Sequence, residues 1–142
     1  MRDFNVYVTV AIVVLTACAH TSAESKPKSV DFVVQSSGAL EGTKVRVAGH
    51  LRFGDDAHNL WSSRAAVIAV SGVGYIPRDD PRWTHCITLR NFGNQRSALL
   101  RQNHRSVVIT GIVNRVVPKP DAIAIGACNE IGLSVLDVKG IR

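Results

Sequence analysis

The most regular feature of the chain is an alternation of apolar and polar residues, which predicts β-strands that place one face against a core. Apolar residues alternate from Val45 to Phe53 in "KVRVAGHLRF", and Gly49 takes the inward position in the middle. The same arrangement returns in "SVVITGIVNR", with Gly111 in the corresponding position. Because a glycine allows a strand to bend or bulge, the two segments predict strands that curl tightly enough to close a small barrel.

Further segments complete the order of predicted elements. "AHNLWSS" and "WTHCITLRNF" fit strands, with Trp83 opening the second of them, and "QRSALLRQN" fits a short helix. "AIAIGA" and "GLSVLDVKGI" fit strands again. The segment 64–82 is ambiguous, because its first half fits a strand or a short helix and its glycines and prolines then impose a loop, so its pairing stays open. The predicted order is strand, strand, strand, short helix, strand, strand.

That order is the plan of the OB-fold, a five-stranded Greek-key barrel with a helix between its third and fourth strands. The chain resembles the small exported bacterial OB-fold proteins over residues 30–142, with "GTKVRVAGHL", "HNLWSS", "CITLRNF" and "NHRSVVITGIVNR" as strands one to four. The resemblance implies a mainly β domain: a five-stranded Greek-key OB-fold-like barrel with one short helix. The chain departs from the plan in "VSGVGYIPRDDPRW", which is longer than a simple hairpin between strands two and three.

The first residues follow a different pattern. Arg2 precedes an almost unbroken apolar run, Val6–Ala17, which is shorter than the stretch of about 20 residues that a membrane-spanning helix needs. A basic start, a short apolar core and small residues after it are typical of a secretory signal peptide. We predict such a signal peptide over residues 1–17, and therefore that the protein is exported.

Cys18 stands directly after this apolar run. "LTAC", which ends at Cys18, resembles the bacterial lipoprotein signal, in which a branched apolar residue and two small residues precede a cysteine. The resemblance implies that Cys18 receives lipid chains and that the chain is cut just before it. The polar, Pro-containing composition of residues 22–29 predicts that residues 18–29 form a flexible tether. The expected location is the cell envelope, with the protein anchored to a membrane and facing the periplasm or the cell exterior. Ordinary signal peptidase cleavage after Ala19 or Ala23 is the alternative.

Two cysteines, Cys86 and Cys128, lie beyond the predicted leader and tether. An even pair in an exported protein predicts a disulfide, because export places the chain in an oxidising compartment. Chain entropy gives such a bond about 4 kcal/mol of stabilisation for a loop of this length. Two buried free thiols are the alternative, and the chain has no C-x-x-C or paired His–Cys spacing that would indicate a metal site.

The charge of the chain indicates which kind of partner the protein could bind. The chain has 17 Lys and Arg against 11 Asp and Glu, a formal net charge of +6 at pH 7, and its arginines cluster at 78–82 and 96–105. Such a surface suits an anionic partner, whereas charges of both signs spread along the chain also fit an ordinary solvated face. Six aromatic residues beyond the leader, together with export, argue against the charged groove with interleaved aromatics that binds nucleic acid.

The OB-fold resemblance implies a ligand surface on the face of strands two and three. On this surface the candidate ligand-binding residues are Arg52, His58, Trp61, Trp83 and Arg90. An arginine there could pair with a phosphate or carboxylate, and a tryptophan could stack on a sugar or base. A core position for Trp61 and a shielding position for Trp83 at the barrel end fit the pattern equally well.

No catalytic, metal or cofactor site is predicted. The histidines have no sequence-adjacent nucleophile or metal-ligand spacing, no G-x-S-x-G, H-E-x-x-H or P-loop motif occurs, and the paired aspartates lie in predicted turns. We therefore expect a monomeric, non-enzymatic binding module of the cell envelope for an anionic or protein partner. Oligonucleotide binding by a basic OB-fold and a structural or assembly role in the envelope are the alternatives.

Overall fold

The computed structural model describes residues 24–74, 76–77, 79–115 and 128–141. Its strands are β1 Lys28–Ser29, β2 Lys44–Phe53, β3 His58–Trp61, β4 Cys86–Arg90, β5 Ser106–Arg115 and β6 Ile131–Gly140. Its α-helices are α1 Val30–Gln35, α2 Ser37–Leu40, α3 Arg64–Val70 and α4 Arg96–Arg101, and 3₁₀ helices span Pro81–His85 and Gly93–Gln95. Within the described residues, no helix is long and apolar enough to cross a membrane.

Some predictions fall on other parts of the chain. The predicted signal peptide over residues 1–17, the predicted acylation site Cys18 and the predicted strand "AIAIGA" lie outside the described residues. The last residues of the predicted tether are described: Lys28 and Ser29 form β1, which pairs in parallel with Val47 and Ala48 of β2. Regular structure therefore begins two residues before the predicted domain boundary at residue 30.

Five strands close into a barrel. They are hydrogen-bonded in the order β2-β3-β4-β6-β5, and β5 pairs back to β2. The β4–β6 pair is parallel and the other pairs of the barrel are antiparallel, and α4 lies between β4 and β5 in the chain. This is the strand order of the OB-fold, so the predicted mainly β, five-stranded barrel with a helix between its third and fourth strands is confirmed.

Two glycines allow the long strands to close. β2 pairs with β5 from Lys44 to His50 and with β3 from His50 to Phe53, so it changes partner beside Gly49. The β5–β6 ladder shifts register at Gly111. A Cβ at Gly49 would lie 2.5 Å from the carbonyl oxygen of Trp61, and one at Gly111 would lie 2.5 Å from that of Ser134. The inward glycines predicted from the sequence are therefore places where neighbouring backbones approach too closely for a side chain.

The barrel interior is filled by the inward residues of every barrel strand. Leu99 of α4 and Val30 and Val33 of α1 complete this core, and all three are fully buried. The sequence analysis did not predict α1. Its N-cap is Ser29, whose side chain accepts a hydrogen bond from the Phe32 N–H at 3.2 Å. The helix buries Val30 and Val33, which are three residues apart and therefore share a face.

A second apolar cluster lies on the outside of the barrel. Trp61 points away from the interior and packs with Val67 and Val70 of α3 and with the disulfide-bonded pair Cys86 and Cys128. The ambiguous segment after residue 64 is thus a helix, because Trp61 offers its apolar side an outer partner. We name α3 and the chain from it to His85 the insertion, residues 64–85.

The start of the third barrel strand differs from the prediction. Trp83 does not open that strand but lies in the 3₁₀ helix Pro81–His85, and β4 begins only at Cys86. The Asp80 side chain accepts from the Arg82 N–H at 2.9 Å, and Pro81 at the first helical position has no N–H to leave unpaired. These two features favour a helical turn where the alternation of residues had indicated a strand.

The predicted disulfide is present. It joins Cys86 at the start of β4 to Cys128 just before β6, with the two Cα atoms 6.2 Å apart. Beside it, the Asn129 side-chain amide donates to the carbonyl oxygens of Trp83 and Cys86 at 2.8 and 2.7 Å. The disulfide and this amide together hold the end of the insertion against the chain that leads into β6.

We predict that Gly111→Ala lowers the free energy of unfolding by about 3 kcal/mol, because the added Cβ collides with backbone that cannot move without breaking the β5–β6 ladder. Gly38→Ala is the matched control: a Cβ there meets nothing within 4 Å, so its effect should stay within about 1 kcal/mol. Chemical denaturation of the two variants measures both effects. Equal stabilities would contradict the packing role assigned to Gly111.

Candidate ligand-binding site

The outer face of β2, β3 and β4 carries two rows of side chains set by the strand register. In one row His50, Trp61 and Cys86 are neighbours across the three strands. In the next row Arg52 lies beside Asn59, and Asn59 lies beside Thr88. This is the face that the sequence analysis proposed as the ligand surface, and the insertion covers part of it.

A half-open cavity of about 270 Å³ lies between this face and the insertion. The barrel strands supply its floor, and the chain after α3 and the 3₁₀ helix supply its apolar walls. It is lined by Arg52, Asp56, Ala57, Asn59, Trp61, Val70, Val73, Gly74, Ile76 and Trp83. The cavity therefore combines apolar walls with polar groups, and the polar groups make up most of the lining surface that solvent can reach.

Four buried side-chain polar atoms have no hydrogen-bond partner within the described part of the chain, and two of them belong to residues that line the cavity. These two are the Trp61 Nε1–H, a donor, and the Asn59 Oδ1, an acceptor. Trp61 is 2% exposed and Asn59 is 6% exposed. Leaving such a group unpaired costs about 1–3 kcal/mol, and most buried polar groups in folded proteins are paired. Because neither atom is accessible to solvent, both are also closed to a molecule in the cavity.

The charged groups of the cavity are balanced. Arg52 contributes a guanidinium that also donates to the Ser71 hydroxyl at 3.4 Å, which links β2 to the end of α3. Asp56, from the turn between β2 and β3, contributes a carboxylate. Among the described lining residues there is therefore no excess of positive charge like that of the whole sequence.

Trp83 is held in place by its own turn. Its Nε1–H donates to the Pro77 carbonyl oxygen at 2.8 Å, and its ring centroid lies 6.0 Å from that of Trp61, at an interplanar angle of 42°. The Arg82 guanidinium donates to both carboxylate oxygens of Asp80 at 2.8 and 2.7 Å. These hydrogen bonds lower the pKa of Asp80 to about 2.

The structure brings three of the five predicted ligand residues to the cavity: Arg52, Trp61 and Trp83. His58 instead packs with Phe53 and Phe92, with ring centroids 5.1 and 5.0 Å away, on the side of β3 opposite Asn59 and Trp61. Arg90 is exposed at the end of β4 and does not line the cavity.

Asn59 and Asp56 were not among the predicted ligand residues. The signal for Asn59 was the same alternation that placed Trp61 outward, because residues two apart on a strand share a face. The walls of the cavity come from the insertion, whose fold the sequence left open.

A second, wider depression lies near the start of α3. It is lined by Lys28, His50 and Arg64 together with several serines and small residues. Burial lowers the pKa of His50, and the nearby charges of Arg64 and His104 lower it further. Within the described residues, no group of three or more His, Cys, Asp or Glu side chains is arranged to hold a metal ion.

No protein-family model and no curated protein matches the sequence. Three solved structures with a similar fold are OBody proteins. "OBody AM2EP06 bound to hen egg-white lysozyme" is 16% identical, with 83% of this chain and 97% of that chain covered and a TM-score of 0.45. "OBody AM3L09 bound to hen egg-white lysozyme" is 15% identical, with 73% of this chain and 86% of that chain covered and a TM-score of 0.41. "OBody AM3L15 bound to hen egg-white lysozyme" is 16% identical, with 83% of this chain and 96% of that chain covered and a TM-score of 0.47. At these values the likeness identifies no ligand, and the fold assignment rests on the strand order.

We predict that Asp80 titrates with a pKa of about 2. The indole NMR signal of Trp83 should change over the same pH range, because Asp80 caps the 3₁₀ helix that contains Trp83. Since the pKa in the folded state lies below the ordinary value of 3.8, the ionised carboxylate stabilises the fold above that value, and this contribution is lost as the pH falls through about 2. NMR titration of the Asp80 carboxyl carbon and of the Trp83 indole signal measures both. Asp80→Asn should loosen Trp83 at neutral pH, whereas Asp79→Asn, at an exposed position, should not. An Asp80 that titrates near 3.8 would contradict the ion pair.

Proposed function

We propose that the protein is exported by a signal peptide over residues 1–17, is anchored in the cell envelope by lipid chains on Cys18, and acts there as a non-enzymatic binding module. The order of basic, apolar and small residues before Cys18 supports export and anchoring. The Cys86–Cys128 disulfide fits the oxidising compartment that export would provide. The barrel supplies a rigid support for a site on its outer face.

One observation carries the binding function: a half-open cavity of about 270 Å³ beneath the insertion brings Arg52, Asp56 and Trp83 together beside apolar side chains. The described residues that line it include no serine, cysteine, lysine or histidine, and the one carboxylate among them, Asp56, has none of these groups beside it in the lining. A site that positions hydrogen bonds without such groups is suited to binding rather than to catalysis.

The net charge of +6 favours oligonucleotide binding as a second candidate. Two observations weigh against it at this cavity: Arg52 is accompanied by Asp56, and the Trp83 indole N–H is already bonded within its own turn. Binding of an oligonucleotide with an affinity that falls as salt rises would support this candidate, and binding without a salt dependence would exclude it.

A structural role in the envelope through an unpaired strand edge receives less support. The five barrel strands pair into a closed ring, which leaves no long free edge among the described strands.

The anchor predicts the mass of the native protein. Isolated from its own membrane fraction without reductant, the protein should begin at Cys18, carry acyl groups, and weigh two hydrogens less than after reduction of the Cys86–Cys128 bond. Intact mass spectrometry measures all three. A soluble, unacylated chain that begins at His20 or Glu24 would show ordinary signal peptidase cleavage and contradict the anchor.

The binding site predicts where a partner is captured. A photo-crosslinking amino acid at Val73, a cavity residue that is 45% exposed, should form adducts in living cells. The same amino acid at Leu136, which is equally exposed at 46% but does not line the cavity, should not form them. Gel analysis of the purified protein after irradiation compares the two positions. Equal labelling, or no adduct at Val73, would contradict a binding function of this cavity.

A further inference from the structure

We propose that the depression near the start of α3 binds the phosphate of an anionic phospholipid headgroup in the membrane to which Cys18 anchors the protein. This inference rests on the proposed function, because the anchor decides which side of the barrel can touch the membrane. It is carried by the position of the first described residues, by the charge of the depression and by its apolar surface.

The first described residues are held against the barrel. The Glu24 carboxylate forms ion pairs with Arg46 of β2 at 3.1 Å and with Lys139 of β6 at 3.3 Å. The Arg46 guanidinium also donates to the carbonyl oxygen of Ser25, and β1 then pairs with β2. The place of Glu24 on the barrel is therefore defined.

The proposed anchor is close to this place. Glu24 is six positions after Cys18, and six residues span at most about 22 Å when fully extended. A domain of about 100 residues has a radius of gyration of about 13 Å, and so a width of roughly 34 Å. Because the span is shorter than this width, a membrane that holds Cys18 can touch the side of the barrel that carries Glu24 but not the opposite side.

The depression lies on the side that carries Glu24. Lys28, four positions after Glu24, is one of its lining residues. Ile141 is another, two positions after the Lys139 that pairs with Glu24, and its side chain is 51% exposed. The depression has a volume of about 480 Å³ and is within reach of the membrane surface.

The charge of the depression suits a phosphate. The described residues that line it include the cations Lys28 and Arg64 and no carboxylate, and neither cation forms an ion pair with a described residue. Burial and the nearby charges of Arg64 and His104 lower the pKa of His50, so its ring adds no charge at neutral pH. The two unopposed cations favour an anion, and a guanidinium can bind two phosphate oxygens at once.

The rest of the lining favours a lipid over a free phosphate ion. Most of the surface that solvent can reach in the depression is apolar, and Pro27, Ala48 and Ile141 are among the residues that line it. A small hydrated anion gains nothing from apolar surface. A phospholipid carries apolar glycerol and acyl carbons directly beside its phosphate, so this lining matches the boundary between headgroup and acyl chains.

Photo-crosslinking to lipids tests the inference. The protein from its membrane fraction, with a photo-crosslinking amino acid at Ile141, is reconstituted in vesicles of equal parts phosphatidylcholine and phosphatidylglycerol, and mass spectrometry identifies the lipid adducts. Phosphatidylglycerol adducts should exceed phosphatidylcholine adducts about 10-fold or more, because each cation beside an anionic surface contributes a factor of about 5. The same amino acid at Val73, which is 45% exposed in the other cavity, should show no excess of either lipid.

Two arginine variants separate the depression from the net charge. Arg64→Ala removes a lining cation and should lower the excess about 5-fold. The fold should persist, because Arg64 is exposed at the start of α3 and alanine favours a helix. Arg90→Ala removes an exposed arginine outside the depression and should leave the excess unchanged. Equal reductions in the two variants would assign the preference to net charge and overturn the site.

The remaining outcomes distinguish the headgroup site from the anchor. Equal labelling of the two lipids at Ile141 in an acylated protein would overturn this inference and leave the anchor in place. Loss of the adducts in excess inorganic phosphate would assign the depression to a free phosphate instead of a lipid. If intact mass shows no acyl group, the anchor fails, but an excess of phosphatidylglycerol adducts on that protein, added to the same vesicles, would still support the headgroup site.

Discussion

Trp61 points out of a barrel whose interior is already filled, so the chain has to bury this indole on the outside. The insertion does this with Val67 and Val70, and the Cys86–Cys128 disulfide closes the cluster from the other side. An exposed tryptophan would leave a large apolar area in water, which removes about 25 cal/mol of stabilisation per Å². Covering Trp61 therefore accounts for the position of the insertion, and the position of the insertion creates the cavity.

The cover is incomplete in a specific way. The insertion excludes water from the Trp61 indole N–H and from the Asn59 side-chain oxygen Oδ1, and neither atom has a partner within the described chain. Unpaired buried polar groups cost about 1–3 kcal/mol each, so covering Trp61 offsets part of the stability that it provides. Arg46 Nε and Asn114 Oδ1 are buried without a partner among the described residues in the same way, and neither residue lines the cavity.

The barrel was predictable because each of its long strands carries the complete pattern in its own residues. Alternation around Gly49 and Gly111 indicated both the inward face and the places of closest backbone approach. The same alternation, followed through β3, also places His58 inward with Leu60 and Asn59 outward with Trp61. Two of the differences at the site therefore lay within reach of the sequence.

The insertion was not predictable in the same way. Residues 64–70 fit a helix or a strand until the surface that they pack on is known, and that surface is Trp61, whose outward position is set by the pairing of β3 in the barrel. The turn at Pro81 carried a local signal in the preceding aspartate, but its effect on Trp83 depends on the ion pair between Asp80 and Arg82. The pairing of distant strands therefore decides the first segment and a contact within the turn decides the second, and the walls of the site come from both.

The net charge and the cavity act at different stages of recognition. The net charge of +6 acts at long range and in salt is screened over about 8 Å, so it can raise the rate of encounter with anionic surfaces or proteins without selecting among them. Among its described lining residues the cavity has one cation and one carboxylate, and it adds little to that attraction. It can select instead by the shape and polarity of its lining. Because long-range attraction acts mainly on the rate of association, both this rate and the affinity for an anionic partner should fall as salt rises.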